Sequence, residues 1–300
     1  MTVNTEPATR ILEVPGATLT YDVRPNDSST EPPLFLIGSP MGAAGFGSLI
    51  GHFPDRTIVT YDPRGSERST KPDMTSQSTP DEHADDLHRI IEEVGGPVDL
   101  FASSGGAVNA IALVARHPED VRTLVAHEPP LATVLPDREN AEAAARAVHE
   151  TYERSGFGAG MAHFIAVVSH QGAFPDDFAQ QPPPDPAVFG MPTEDDGSRT
   201  DPLMGQTIVG TTHYEPDFDA LRAASTRIVM AAGVESEGIM TSRAVSAIAE
   251  RLGTAPVIFP SGHSGFMGGE YGQPGGEPEA FAAKLRLVLE EPEFGTAEIS

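Results

Sequence analysis

The 300-residue chain contains no cysteine. Disulfides, thiolate-ligated metals and a thiol nucleophile are therefore excluded. Positive charge is scarce: 19 Lys and Arg stand against 44 Asp and Glu, a formal net charge of −25. Such a surface repels phosphate backbones, so no nucleic acid is expected as a partner. Its simplest reading is a solvated acidic exterior. Lys71 and Lys284 are the only lysines, a bias that reflects genome composition rather than chemistry. No apolar run reaches the ~18 residues of a membrane span, and Met1-Thr-Val-Asn-Thr-Glu-Pro7 has no basic stretch leading into an apolar one. The expectation is a soluble, cytoplasmic protein without a membrane partner.

What is present is a regular alternation of short apolar runs and amphipathic stretches. Arg10–Val14 and Ala17–Val23, joined at Pro15-Gly16, read as a hairpin. Pro33–Ile37, Arg56–Tyr61, Pro97–Ala102, Val121–Ala126, Arg227–Ala232 and Pro256–Phe259 read as buried strands. Between them, Ala43–Phe53, Pro80–Val94, Gly105–His117, Thr241–Leu252 and Glu277–Glu290 suit helices. That order predicts a mostly parallel α/β sheet flanked by helices. It is interrupted after Glu128-Pro-Pro by an alanine-rich helix, a second helix from Gly158 to His170 and the proline-rich Gln180–Pro186. Residues 1–129 and 223–300 are thus expected to form a core, and 130–222 an inserted helical cap.

Asp99-Leu-Phe-Ala-Ser-Ser-Gly-Gly-Ala-Val108 is the most informative stretch. An apolar strand turns directly into a helix with serines at the turn. A strand-to-helix elbow lifts a serine hydroxyl off the sheet and aims the first helical N–H groups at the group it attacks. The residues two before and two after the nucleophile must be small. Ala102 and Gly106 satisfy this around Ser104, whereas Phe101 rules out Ser103. Ala102 replaces the first glycine of the usual G-x-S-x-G.

An elbow serine needs a loop-borne base. Ser261-Gly-His263 follows a buried strand, and His263 is the candidate. The remaining partner is a carboxylate for the imidazole. Glu128, at the end of the strand after the elbow helix and fixed by two prolines, is one candidate. Glu235 and Glu237 are the alternatives, flanking Ser236 in Gly233-Val-Glu-Ser-Glu-Gly238. Gly105 should give one oxyanion N–H, and the loop Gly38-Ser-Pro-Met-Gly42 the other. Pro40 has no N–H there, so Met41 or a group on Ser39 is expected to serve. His83, Asp86 and His88 read as a solvated helix face with nothing to complete a metal site. No metal and no cofactor are expected, and Gly42–Gly47 lacks the order of a nucleotide loop.

Four motifs in sequence order carry a resemblance: Leu36–Gly42 after a strand, Tyr61-Asp-Pro-Arg-Gly65, the elbow at Ser104, and Ser261-Gly-His263. Together they resemble the α/β-hydrolase superfamily over residues 10 to 290. Paired elbow serines and Ala126-His-Glu-Pro-Pro130 further resemble the zearalenone-lactonase branch, a likeness that implies Glu128 as the acid. The resemblance implies a serine hydrolase that cleaves an ester or lactone of a small to medium hydrophobic substrate through an acyl-enzyme. An elbow serine argues against epoxide hydrolases and haloalkane dehalogenases, which use aspartate there. Carbon–carbon bond hydrolysis, cofactor-free perhydrolysis and a non-catalytic small-molecule binder remain the alternatives. Phe164, Val168, His213 and Tyr214 are expected to contact substrate from the cap, whose Met161, Ile165, Phe174, Phe178, Phe189, Met191 and Met204 give it an apolar character. A homodimer is compatible with the sequence.

Overall fold

The computed structural model describes residues 6–272 and 274–291. The opening Met1–Thr5 read for a leader, and the outer limits of the expected core, lie outside the described residues. Eight strands form one sheet in the order β1-β2-β4-β3-β5-β6-β7-β8. They are β1 (Ala8–Val14), β2 (Ala17–Arg24), β3 (Leu34–Ile37), β4 (Ile58–Asp62), β5 (Val98–Ser103), β6 (Val121–His127), β7 (Arg227–Gly233) and β8 (Val257–Phe259). β1–β2 and β2–β4 pair antiparallel, and all later pairs are parallel. The helices are α1 (Gly47–Ile50), α2 (Pro80–Val94), α3 (Gly105–Arg116), α4 (Arg138–Val168), α5 (Ile208–Thr212), α6 (Phe218–Ala223), α7 (Met240–Leu252) and α8 (Pro278–Glu290). This is the expected mostly parallel α/β sheet flanked by helices; the helix expected over Ala43–Phe53 is shorter, a 3-10 turn at Ala43–Phe46 followed by α1.

Alternation along the strands feeds two cores, one on each face. In β3, Phe35 and Ile37 point into the core beneath α2, α3 and α7, while Leu34 and Leu36 join Phe46, Phe101, Phe266 and Phe281 beneath α1 and α8. Each fully buried aliphatic or aromatic side chain contributes about 1.5–3 kcal/mol, so a sheet buried on both faces is held firmly. The chain leaves β3 toward β4 on one side and β5 on the other. Strand order therefore reverses beside β3, and the carboxyl ends of β3, β5, β6, β7 and β8 share one edge. Such an edge is where open α/β sheets place their sites.

Between β6 and β7 the chain forms α4, α5 and α6, with a π-helical turn at Pro202–Thr207. The two expected helices run together as α4, with a break at Gly156, whose φ of 81° is left-handed. A side chain there would also run into Asp195. Arg243 of α7 ties this segment down by pairing with Asp137 and with the carbonyl of Gly172.

α2 begins with a capping box, Thr79 with Glu82, has Pro80 at its first turn, and ends at Gly95 in the left-handed region. Its polar residues correct the sequence reading. His83 and Asp86 are buried, not solvated, because Asp86 accepts two bonds from Arg64 of the Asp62-Pro-Arg-Gly65 turn at 2.7 and 2.6 Å. A helix face that looked polar is a buried ion pair reaching across the fold.

Two histidines are buried with both ring nitrogens unpartnered, His83 and His127. Burial pushes His127 down to about 4 and His83, with Arg64 and Lys71 adding repulsion, down to about 3. An unfolded histidine titrates near ~6.5. Below that pH the unfolded chain binds protons that the folded one refuses, so stability is full above ~6.5 and falls toward 4, by roughly 2–4 kcal/mol for His127. Melting temperatures of the parent and His127→Leu between neutral pH and pH ~5 should diverge, with the variant losing less. Parallel profiles would mean that His127 stays neutral for no energetic cost.

Candidate active site

The elbow forms as its residues require. β5 ends at Ser103, and Ser104 takes φ 57° and ψ −128° before α3 begins at Gly105. That conformation is costly for a non-glycine residue, of order 1–3 kcal/mol, and is kept where surrounding bonds over-determine it. Here Ser104 N–H donates to the His127 carbonyl at 2.9 Å, and its own carbonyl accepts from Ala107 N–H at 2.9 Å. A Cβ on Gly105 would stand 2.6 Å from the Ser39 carbonyl, and one on Gly106 would stand 2.8 Å from Gly38 backbone. The two glycines thus let the loop after β3 lie directly on the start of α3. The first N–H groups of α3 have no intrahelical acceptor, and the helix dipole makes that end attractive to negative charge.

The facing loop is anchored from behind. Asp62 accepts from Ala43 N–H at 2.9 Å and from Arg68, which fixes the far end of Gly38–Gly42. Ser39 is buried against Gly105, and its hydroxyl has no partner. Met41 folds its side chain back over Gly38 and Gly45.

Glu128 sits one residue beyond β6, in register with the elbow, since Ser103 pairs with His127. Its φ of 51° is a second left-handed non-glycine conformation. It turns the carboxylate out of the strand toward β7 and α7, where it is fully buried. Oε1 accepts from Gly233 N–H at 2.8 Å, while Oε2 accepts from Thr241 Oγ1 at 3.1 Å. Oε2 also lies 2.6 Å from His263 Nδ1. Burial works to raise this carboxyl, but the His263 ring bonded to it and the Ser236 hydroxyl outweigh it and bring it down to about 2. His263, held by a turn in which Ser261 has φ 62°, keeps its side chain 39% exposed. With Nδ1 on the carboxylate, Nε2 is the nitrogen left free for other chemistry.

Glu235 and Glu237 are exposed, and Glu235 accepts from the Ser261 hydroxyl at 3.3 Å instead of from His263. Ser236, between them, is buried beside Glu128. Of the cap residues expected at the substrate, Phe164 packs on the core and Val168 is exposed. Tyr214 and His213 make no hydrogen bond to Ser104, Glu128 or His263; the Tyr214 carbonyl accepts from Thr133 Oγ1 at 2.7 Å. The Tyr214 hydroxyl lies in the field of Asp81, Arg116 and Asp217, at the far end of α3. His213 bonds Thr212 at 2.9 Å, beside Arg146 and Glu142 of α4.

Sequence reasoning missed the support around Glu128. Thr241 and Gly233 come from elements more than 100 residues away, and only the β6–β7 pairing brings them in. His127 was also missed. It is enclosed by Phe101, Phe259, Phe266 and Phe281, with its ring centroid 6.3 Å from that of His263. Its signal was available: in a strand whose neighbours alternate between two buried faces, position 127 follows Val125 into the core.

No family model matches the chain. The chain is 29% identical over 262 residues to a protein of Bacillus subtilis (strain 168) described as the uncharacterized hydrolase YraK, covering 85% of this chain and 89% of that one. Among solved structures it superposes on MGS-M2, an alpha/beta hydrolase enzyme from a Medee basin deep-sea metagenome library, with a TM-score of 0.67 at 15% identity, covering 96% and 100% of the two chains. It superposes on a thermophilic esterase from Thermogutta terrifontis with a TM-score of 0.63 at 20% identity, covering 95% and 98%. The chain has the α/β-hydrolase fold.

The close approach at the elbow gives a direct test. Gly106→Ala should destabilise the protein by about 1–3 kcal/mol, because backbone rather than a pliable side chain is in the way. Gly51→Ala, whose Cβ would stand 3.5 Å from its nearest neighbour, should melt close to the parent. Equal melting temperatures for the two variants would show that the loop after β3 does not rest on α3.

Proposed function

We propose that the chain is a serine hydrolase of carboxylic esters, with Ser104 as nucleophile, His263 as base and Glu128 as the acid. The observation that carries this reading is the 2.6 Å contact between His263 Nδ1 and a buried Glu128 carboxylate one strand away from the elbow serine. A buried, ionised carboxylate on Nδ1 fixes the ring tautomer and stabilises the imidazolium that forms when Nε2 takes the serine proton. Ser104 Oγ then attacks the ester carbonyl. The oxyanion receives the Gly105 N–H and a group of the Ser39–Met41 loop, in which Ser39 packs on Gly105 and has a hydroxyl without a partner. His263 protonates the leaving alcohol, and water resolves the acyl-enzyme by the same path. The hydrolase description of YraK and the esterase among the structural neighbours support the reaction class.

The segment 130–222 serves in this reading as a cap over the carboxyl edge of the sheet, admitting a small to medium apolar ester. A lactone is the cyclic form of the same bond, and the lactonase branch rests on the elbow and His-Glu-Pro motifs alone. The partner is then a small molecule, and the chemistry asks no cofactor of the chain.

Turnover of a short-chain aryl ester tests the assignment. Ser104→Ala should lower kcat by about 10³-fold or more, and Glu128→Gln by about 10²–10⁴-fold, since glutamine keeps the shape but loses the charge on Nδ1. Replacing Glu235 and Glu237 together by alanine should leave the rate within about twofold. Loss of turnover in the double variant with survival in Glu128→Gln would move the acid to the loop after β7. No turnover in the parent, and no labelling of Ser104 by a fluorophosphonate, would favour a binder on the same fold.

A further inference from the structure

A second cluster of side chains lies on the α2–α3 pair, away from the elbow. His88 comes from α2, His117 follows the last residue of α3, and Asp120 stands immediately before β6. One ligand-capable atom from each lies within 4.8 Å of the other two. His88 Nδ1 is 2.7 Å from Asp120 Oδ2, and the two imidazoles lie face to face with centroids 3.8 Å apart. Glu92 stands 3.7 Å from His88 Nε2, and Glu119 stands 3.4 Å from His117 Nδ1. Three carboxylates therefore surround two rings. A neutral imidazole has one N–H and one lone pair, so His88, with a carboxylate at each nitrogen, satisfies one and turns a lone pair toward the other. The cluster is short of positive charge.

We propose that His88, His117 and Asp120 form a binding site for a divalent transition metal of the zinc type, with Glu92, Glu119 or water completing the shell. Two imidazole nitrogens and a carboxylate are a donor set that zinc accepts, and it needs no thiolate. Calcium and magnesium prefer oxygen alone, which sets the site against them. The side chains of His88, His117 and Asp120 are 22%, 25% and 10% exposed, covered enough to be held and open enough for an ion to enter. Binding replaces the His88 Nδ1–H bond to Asp120: the proton moves to Nε2, which Glu92 faces at 3.7 Å, and the Nδ1 lone pair turns to the metal. The stacked rings fan apart about their side-chain bonds so that their lone pairs converge, a movement that partial exposure leaves room for.

The consequence is structural. The ion joins α2, the end of α3 and the entry to β6, the strand that carries Glu128, while standing a helix length from Ser104. On the helix alone, His83, Asp86 and His88 had nothing to complete a site; the fold gives His88 partners about 30 residues downstream.

Calorimetric titration of the full chain with zinc chloride near neutral pH, with thermal melts in parallel, tests this. One saturable equivalent and a raised melting temperature are expected. His117→Gln and Asp120→Asn should each weaken binding by about tenfold or more and abolish the thermal shift, with unchanged far-UV circular dichroism. His52→Ala, as a control, should bind as the parent does. Failure of the parent to saturate by about 100 µM zinc overturns the proposal, since the thermal shift depends on the ratio of free ion to Kd. Undiminished binding in both variants, or an equal response to calcium chloride, overturns it as well. Should either variant not fold, His88→Gln carries the same expectation.

Discussion

The Glu128 carboxylate is the group on which the rest of the site depends. Taking a carboxylate out of water costs several kcal/mol unless hydrogen bonds and an opposite charge replace the lost hydration. Gly233, Thr241 and His263 supply those bonds, and they come from β7, α7 and the loop after β8. One buried charge therefore fixes the relative positions of three elements that are adjacent in the sheet but distant in sequence. The loop bearing His263 has no strand pairing of its own, and this bond is what gives its imidazole a direction.

Backbone strain is concentrated where that charge is used. Ser104, Glu128 and Ser261 each hold a left-handed conformation at the carboxyl edge of the sheet. Each is a point where a strand direction must be abandoned at once: into a helix at Ser104, toward the neighbouring strand at Glu128, into the histidine turn at Ser261. A sheet buried on both faces can store such strain, because the strands behind these residues cannot shift to relieve it. The glycines at 105 and 106 do the complementary job, removing side chains where two loops must touch.

The fold was legible because its signals are local. Short apolar strands, helix punctuation at Thr79 and Gly95, and small residues around Ser104 each say what the next few residues do. The carboxylate that meets His263 was less so: Glu128, Glu235 and Glu237 all lie just beyond strand ends, and spacing cannot rank them. What ranks them is a register. β6 and β7 pair so that Gly233 meets Glu128, and Ser236, standing where an aspartate would be expected, leaves a buried position that supports the glutamate instead. His83 and Asp86 were misread for the converse reason. Their polarity suggested water, whereas Arg64, about 20 residues upstream, occupies the same interior. Tyr214 illustrates the third kind of gap, since a loop residue's sequence position says nothing about which end of α3 it faces.

Adjacent residues at the end of β6 divide the electrostatic work. His127 obeys the strand's alternation and enters the aromatic core beneath α8, where burial keeps it neutral. Glu128 breaks the alternation and enters the opposite side, where α7 and β7 provide donors and the His263 imidazole meets it at Nδ1. Were both to follow the same face, a carboxylate would be buried among phenylalanines with no donors. The result is a column of titratable groups in which Glu128 stays ionised and His127 stays neutral through the neutral range. His263 alone of the three reaches solvent, at 39% exposure. In the proposed reaction the base must take and return a proton in each cycle, and of these three groups only His263 has access to water.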